Sequence, residues 1–84
     1  MPYDSDLPLQ RNINALIREY DGYFVARCME ISVVTDGSTL DETLANLREA
    51  IELHLEDEDP AEFGLVENPG LQITLQTALA SAKT

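Results

Sequence analysis

Across residues 38–57 the apolar positions recur with helical spacing. Leu40, Leu44, Leu47, Ile51 and Leu55 step by four, three, four and four, which puts them on one face of a 3.6-residue helix. Glu42, Glu49 and Glu56 repeat every seven residues, two positions on from Leu40 and Leu47, and form an acidic stripe on the opposite face. Thr39 is the expected N-cap. Glu42, three residues on, completes a capping box in which the hydroxyl accepts from an orphan amide while the carboxylate reaches back. Pro60 disfavours α geometry at Asp59 and closes the helix near there.

Elsewhere the period is two. Residues 12–20 (NINALIREY) alternate Ile13, Ala15 and Ile17 against Asn14 and Arg18, a strand pattern blurred by Leu16. Asp21-Gly22 signals a hairpin, because a type I′ turn needs positive φ at both central positions. The following strand, 23–30, is rich in aromatic and β-branched residues. It sends Phe24, Ala26 and Cys28 one way and Tyr23, Val25, Arg27 and Met29 the other. Both sets are largely apolar, so the second face is expected to have a cover of its own. A short third strand, 31–35, ends at Asp36-Gly37. Beyond the helix, Asn68-Pro69-Gly70 reads as a turn and 71–79 as a half-buried strand with Leu71, Ile73 and Leu75 inward.

The predicted order β-β-β-α-β defines an α+β domain: a mainly antiparallel sheet with one amphipathic helix packed on it. Residues 1–11, with two prolines, are expected to be a loose arm that Leu7 and Leu9 pin to a neighbour. Residues 12–79 form the single domain and 80–84 a frayed tail.

Composition sharpens this picture. A chain of 84 residues removes only about 60–65 % of its unfolded surface from water, so its core is thin and oligomerisation is expected. Sixteen acidic against five basic residues give a formal charge of −11. That disfavours direct nucleic-acid binding, which needs Lys and Arg to replace phosphate counterions. It suits simple solubility or a basic protein partner equally. Residues 56–62 (EDEDPAE) hold five carboxylates, Asp57, Glu58 and Asp59 among them. Acids at a helix C-terminus oppose its dipole by a few tenths to ~1 kcal/mol, so local helix stability does not account for them. A solvated turn and a docking site for a basic partner are the two readings.

Candidate chemistry is sparse. Cys28 is alone, which excludes an internal disulfide and a cysteine-based zinc site, and on an inward strand face it reads as a core residue. His54 with Glu58 supplies two ligands from one helix, too few for a metal site, and reads as a helix-rim histidine. The scattered glycines form no phosphate loop. Among sixteen acids, carboxylate pairs at catalytic-looking spacings arise by chance. No enzyme activity, metal or cofactor is expected. No apolar run approaches the ~20 residues of a membrane span and the first ten residues lack a signal-peptide core, so a cytoplasmic location is expected.

The stretch GYFVARCMEISVVTDGSTLDETLANLREAIELHLED resembles the core of the HicB-like antitoxins. Gly22-Tyr23-Phe24-Val25-Ala26 is similar to that family's aromatic-rich strand after a glycine, and Glu30-Ile31 to its Pro-Glu-aliphatic segment. Asp36-Gly37-Ser38-Thr39 matches the Gly-x-Thr helix cap, and Leu44-Ala45-Asn46-Leu47-Arg48-Glu49-Ala50 the helix itself. The resemblance covers roughly residues 12–58. Met29 stands where the family has proline, and Ser32-Val33-Val34 replaces its loop before the helix.

The resemblance implies a partial RNase H-like, HicB-type unit without catalytic carboxylates. Such units form homodimers or homotetramers and bind a small basic RNA-cleaving toxin, HicA, masking its active site. Family members also carry a C-terminal DNA-binding segment; with five residues after Leu79, none is expected here. The expected toxin contacts are Glu42, Glu49 and Glu56 with Asp57, Glu58 and Asp59. The face of Tyr23, Val25 and Arg27 is a candidate for toxin binding or self-association. The alternative is an orphan HicB-like scaffold or interaction domain with no toxin.

Overall fold

The computed structural model describes residues 8–77. Along the chain run strands β1 (Gln10–Tyr20), β2 (Tyr23–Cys28) and β3 (Val34–Gly37), helix α1 (Leu40–Leu55), a short 3₁₀ helix (Pro60–Phe63) and strand β4 (Leu65–Gln76). The expected order β-β-β-α-β is observed. One four-stranded sheet has the order β3-β2-β1-β4, in which β1/β2 and β2/β3 are antiparallel and β1/β4 is parallel. The parallel pair follows from α1, a crossover that carries the chain from one sheet edge to the other.

The core lies on one sheet face. Pairing places Ile17 opposite Ala26 and Ala15 opposite Cys28, and all four are buried together with Ile13, Leu47, Ile51 and Leu65. Phe24, Leu71 and Ile73 share this face and are half-buried. Each fully buried leucine or isoleucine contributes roughly 1.5–3 kcal/mol, so Ile13, Ile17, Leu47 and Leu65 supply a large part of the stabilisation. The helix packs on β2 and β3. Its first turn is drawn close to the sheet at Gly37, where an added Cβ would lie 2.5 Å from Thr43 Oγ1.

Several boundaries depart from the sequence reading. β1 starts at Gln10, so Gln10 and Arg11 belong to the sheet and not to an arm ending at 11. Leu9 is exposed; the proposed anchor Leu7, the rest of 1–7 and the tail from 78 lie outside the described residues. The Asp21-Gly22 turn joins β1 and β2 as expected, yet only Gly22 takes positive φ (88°), so it is not type I′. β2 stops at Cys28, two residues short of the expected strand, and the third strand is 34–37 where 31–35 was expected. Ile31 and Val33 are buried as loop residues: the Val33 carbonyl accepts from Cys28 N at 3.0 Å, and Val33 N donates to Ile31 O at 2.9 Å. Glu30 fastens this loop, its carboxylate accepting from Asn14 N (2.8 Å) and Asn14 Nδ2 (2.7 Å).

Asn68-Pro69-Gly70 is not a turn between elements but an irregularity inside β4. Pairing with β1 jumps from Gln10↔Leu65 to Asn12↔Gly70, and Asn68 takes φ of 56° to absorb the excess residues. The helix stops at Leu55, before the predicted limit near Asp59, and Pro60 opens the 3₁₀ helix.

Candidate functional site

The helix start fixes the acidic face. Thr39 is the N-cap, its Oγ1 accepting from Glu42 N at 3.0 Å. The return bond of the capping box reaches one residue further back than the usual partner: Glu42 Oε1 accepts from Ser38 N (2.6 Å) and Ser38 Oγ (2.7 Å). The Ser38 amide, and after it the hydroxyl, hold the Glu42 carboxyl below the usual carboxylate range. Asn46 Nδ2 donates to Asp36 O at 2.8 Å and ties the helix to β3. The stripe is thereby set at a defined angle to the sheet.

Glu42, Glu49 and Glu56 are all exposed, and Glu52 extends the same outward surface. At 1.5 Å rise per residue the stripe runs about 21 Å. Leu53 sits within it, four residues after Glu49 and three before Glu56, with 64 % of its surface exposed. It was not among the expected site residues. Its signal was available: it is the apolar position that does not fit the inward spacing of Leu47, Ile51 and Leu55. Beyond Glu56 the chain keeps Asp57, Glu58 and Asp59 exposed, which lengthens the ridge. Asp59 has a local task as well, since its Oδ1 accepts from Ala61 N at 3.1 Å and caps the 3₁₀ helix.

The other predicted surface lies on the sheet face away from α1. The register aligns Tyr20 with Tyr23, Arg18 with Val25 and Leu16 with Arg27, and Arg27 in turn with Val34. Leu16, Arg18, Tyr20, Val25, Arg27 and Val34 line a shallow concavity of about 290 Å³. The Tyr20 and Tyr23 rings stack at 5.2 Å, and Arg18 Nε donates to Gln76 Oε1 at 2.9 Å. Leu16, Arg18, Tyr20 and Val34 were not anticipated there. Counting back from the Asp21-Gly22 hairpin would have found the three on β1. This face carries two of the chain's five basic residues, Arg18 and Arg27, together with Asp36, which the register aligns with Val25, whereas the helix ridge is anionic.

A second groove, about 390 Å³, runs between α1 and β4, lined by Ile13, Arg48, Ile51, Glu56, Pro69 and Leu71 among others. His54 packs against Phe63 with ring centroids 5.5 Å apart, at the rim of the helix. Among the described residues no group of three or more His, Cys, Asp or Glu is placed to hold a metal ion. Cys28 is buried, and burial, with the Glu30 charge adding to it, pushes its thiol up to about 11. No helix among the described residues is long and apolar enough to cross a membrane. No protein-family model, curated protein or solved structure matches the chain.

Proposed function

We propose that this chain is a HicB-like, non-enzymatic antitoxin that binds a small basic HicA-type ribonuclease in the cytoplasm and masks its active site. The observation that carries the reading is the outward face of α1, where Leu53 projects between Glu49, Glu52 and Glu56. An exposed apolar side chain ringed by like charge is what a basic partner with an apolar recess requires. The carboxylates steer the encounter and the leucine is desolvated on contact. Glu42 and the run Asp57, Glu58 and Asp59 extend the same field. Arg18 and Arg27 lie on the opposite side of the sheet with Asp36 as the acid the register sets among them, so the dense negative charge that suits a basic partner is on the helix. A β-β-β-α-β chain order is compatible with the partial RNase H-like unit implied by the resemblance.

Co-purification of the tagged chain from its own cells tests this. Retention of a small basic protein at low salt, and its loss when Glu42, Glu49 and Glu56 are changed to Gln, supports the reading. Recovery of the chain only with copies of itself favours the second reading, an orphan oligomeric scaffold, which the uncovered Tyr20–Tyr23 face also fits. Metal-dependent RNA cleavage by the purified chain would contradict both.

A further inference from the structure

The two edges of the sheet are unlike each other. β3 is four residues long, carries Asp36 and ends in Gly37, so it offers a neighbouring strand little to pair with. β4 is twelve residues long and pairs with β1 along one side, while among the described residues no strand lies on its outer side. From 71 to 76 (LQITLQ) it holds neither proline, lysine nor any inward charge, the devices by which edge strands are protected.

A second property coincides with that edge. Leu71, Ile73 and Leu75 point to the sheet face that bears α1, but the helix packs on β2 and β3 and leaves this row incompletely covered. Leu75 is 44 % exposed. A third property concerns charge. Residues 68–77 contain no charged side chain in a molecule of net charge −11. A second copy approaching the helix ridge meets carboxylates, and two open faces stacked together bury the charges of Arg18, Arg27 and Asp36 from each copy, which costs desolvation. The β4 edge lets like molecules meet with neither that repulsion nor that desolvation.

We infer that β4 is the seam of a homodimer, pairing antiparallel with β4 of a second copy to make one continuous sheet. Centred on Ile73, the two-fold register sets Leu71 against Leu75 of the partner subunit and Ile73 against its symmetry mate. The whole apolar row is then shared across the seam on the helix side. With strands ~4.8 Å apart and α1 over the two far strands, the two helices stand roughly 25–30 Å apart. That is beyond about three Debye lengths at physiological salt, so the acidic ridges neither oppose the dimer nor lose access to a partner. The inference is independent of the antitoxin reading.

Sedimentation equilibrium of the full chain over a concentration series tests it, paired with amide exchange of β4. The expected result is a dimer that holds or tightens as salt is raised, with the alternate amides of 71–76 that point away from β1 gaining protection as dimer forms. Leu75→Lys is expected to give a folded monomer. Should that variant fail to fold, Thr74→Glu, at an exposed position of the same strand, gives the same outcome by placing acid at the seam. A wild-type monomer overturns the inference. So does a dimer that survives these changes, or one that Val25→Lys on the open face dissociates while Leu75→Lys does not.

Discussion

Gly37 sits where the last residue of β3 meets the first turn of α1, and replacing it with alanine probes how tightly the helix is held to the sheet. An added Cβ would lie 2.5 Å from Thr43 Oγ1, 2.7 Å from Thr43 N and 3.0 Å from Thr43 Cα. Two of those atoms are backbone, so no rotamer change relieves the overlap. Thr43 cannot withdraw freely either. Its amide and hydroxyl both donate to Thr39 O, at 2.9 and 2.7 Å, and Asn46 Nδ2 holds the next turn to Asp36 O. The helix must lift from the sheet, loosening the buried Leu47 within the core. Overpacking of this kind costs about 1–3 kcal/mol, against roughly 0.4–1 kcal/mol gained because alanine restricts the unfolded chain. The net expectation is a loss of about 1–2 kcal/mol, which lowers the melting temperature by roughly 5–15 °C in a domain of this size. Urea unfolding followed by circular dichroism, with Gly37→Ala, Thr43→Ala and the double variant, measures it. Thr43→Ala removes the hydroxyl but leaves the amide in place, so the double variant should recover only part of the loss. Unchanged or raised stability in Gly37→Ala, or full recovery in the double variant, refutes the reasoning.

Other expectations follow from the same packing. Leu47→Ala, at a fully buried position, should lose about 2–5 kcal/mol by urea denaturation, whereas Leu53→Asp, on the exposed face, should leave stability within about 0.5 kcal/mol of the parent. Cys28, buried and with its thiol pushed up to about 11, should resist a disulfide reagent at mildly alkaline pH and react once denaturant opens the fold. The carboxyl of Glu42 is depressed in the folded state, so its ionised form stabilises the fold above the ordinary value of 4.5 and ceases to do so as pH falls through the lower folded value. The difference in melting temperature between parent and Glu42→Gln should therefore be full at neutral pH and close on acidification below about 4.5; a gap that persists in strong acid would contradict the Ser38 hydrogen bonds as its cause.

The helix was legible because its cap and its apolar spacing act between residues three or four apart, whereas Pro60 only bounds it and the helix ends earlier, at Leu55. Thr39, Glu42 and the leucine face therefore lie where the pattern puts them, with the carboxylate bonding Ser38 as the one change. The strands β1 and β2 were legible for a similar reason, since Asp21-Gly22 sets their register locally. The misplacements share a cause: apolar and turn residues report burial and local bending, not pairing. Ile31 and Val33 are as apolar as strand residues yet are buried in a loop, so β3 forms further along, on Val34 and Thr35. Asn68-Pro69-Gly70 bends the backbone as its chemistry requires, but β1 is long enough to pair with β4 on both sides of the bend. The acidic ridge could be read from heptad spacing. Leu53 within it, and the arginines gathered on the far sheet face, depend on which faces the tertiary fold leaves open.

The measurement closest to the functional claim titrates the chain into RNA cleavage by the small basic ribonuclease recovered with it from its own cells. The proposed mechanism predicts arrest at equimolar chain. Glu49→Gln and Glu56→Gln combined with Leu53→Asp should weaken that arrest by more than about tenfold, as should high salt. Cleavage that continues with the chain in excess, or arrest that the triple variant preserves at every salt concentration, contradicts it.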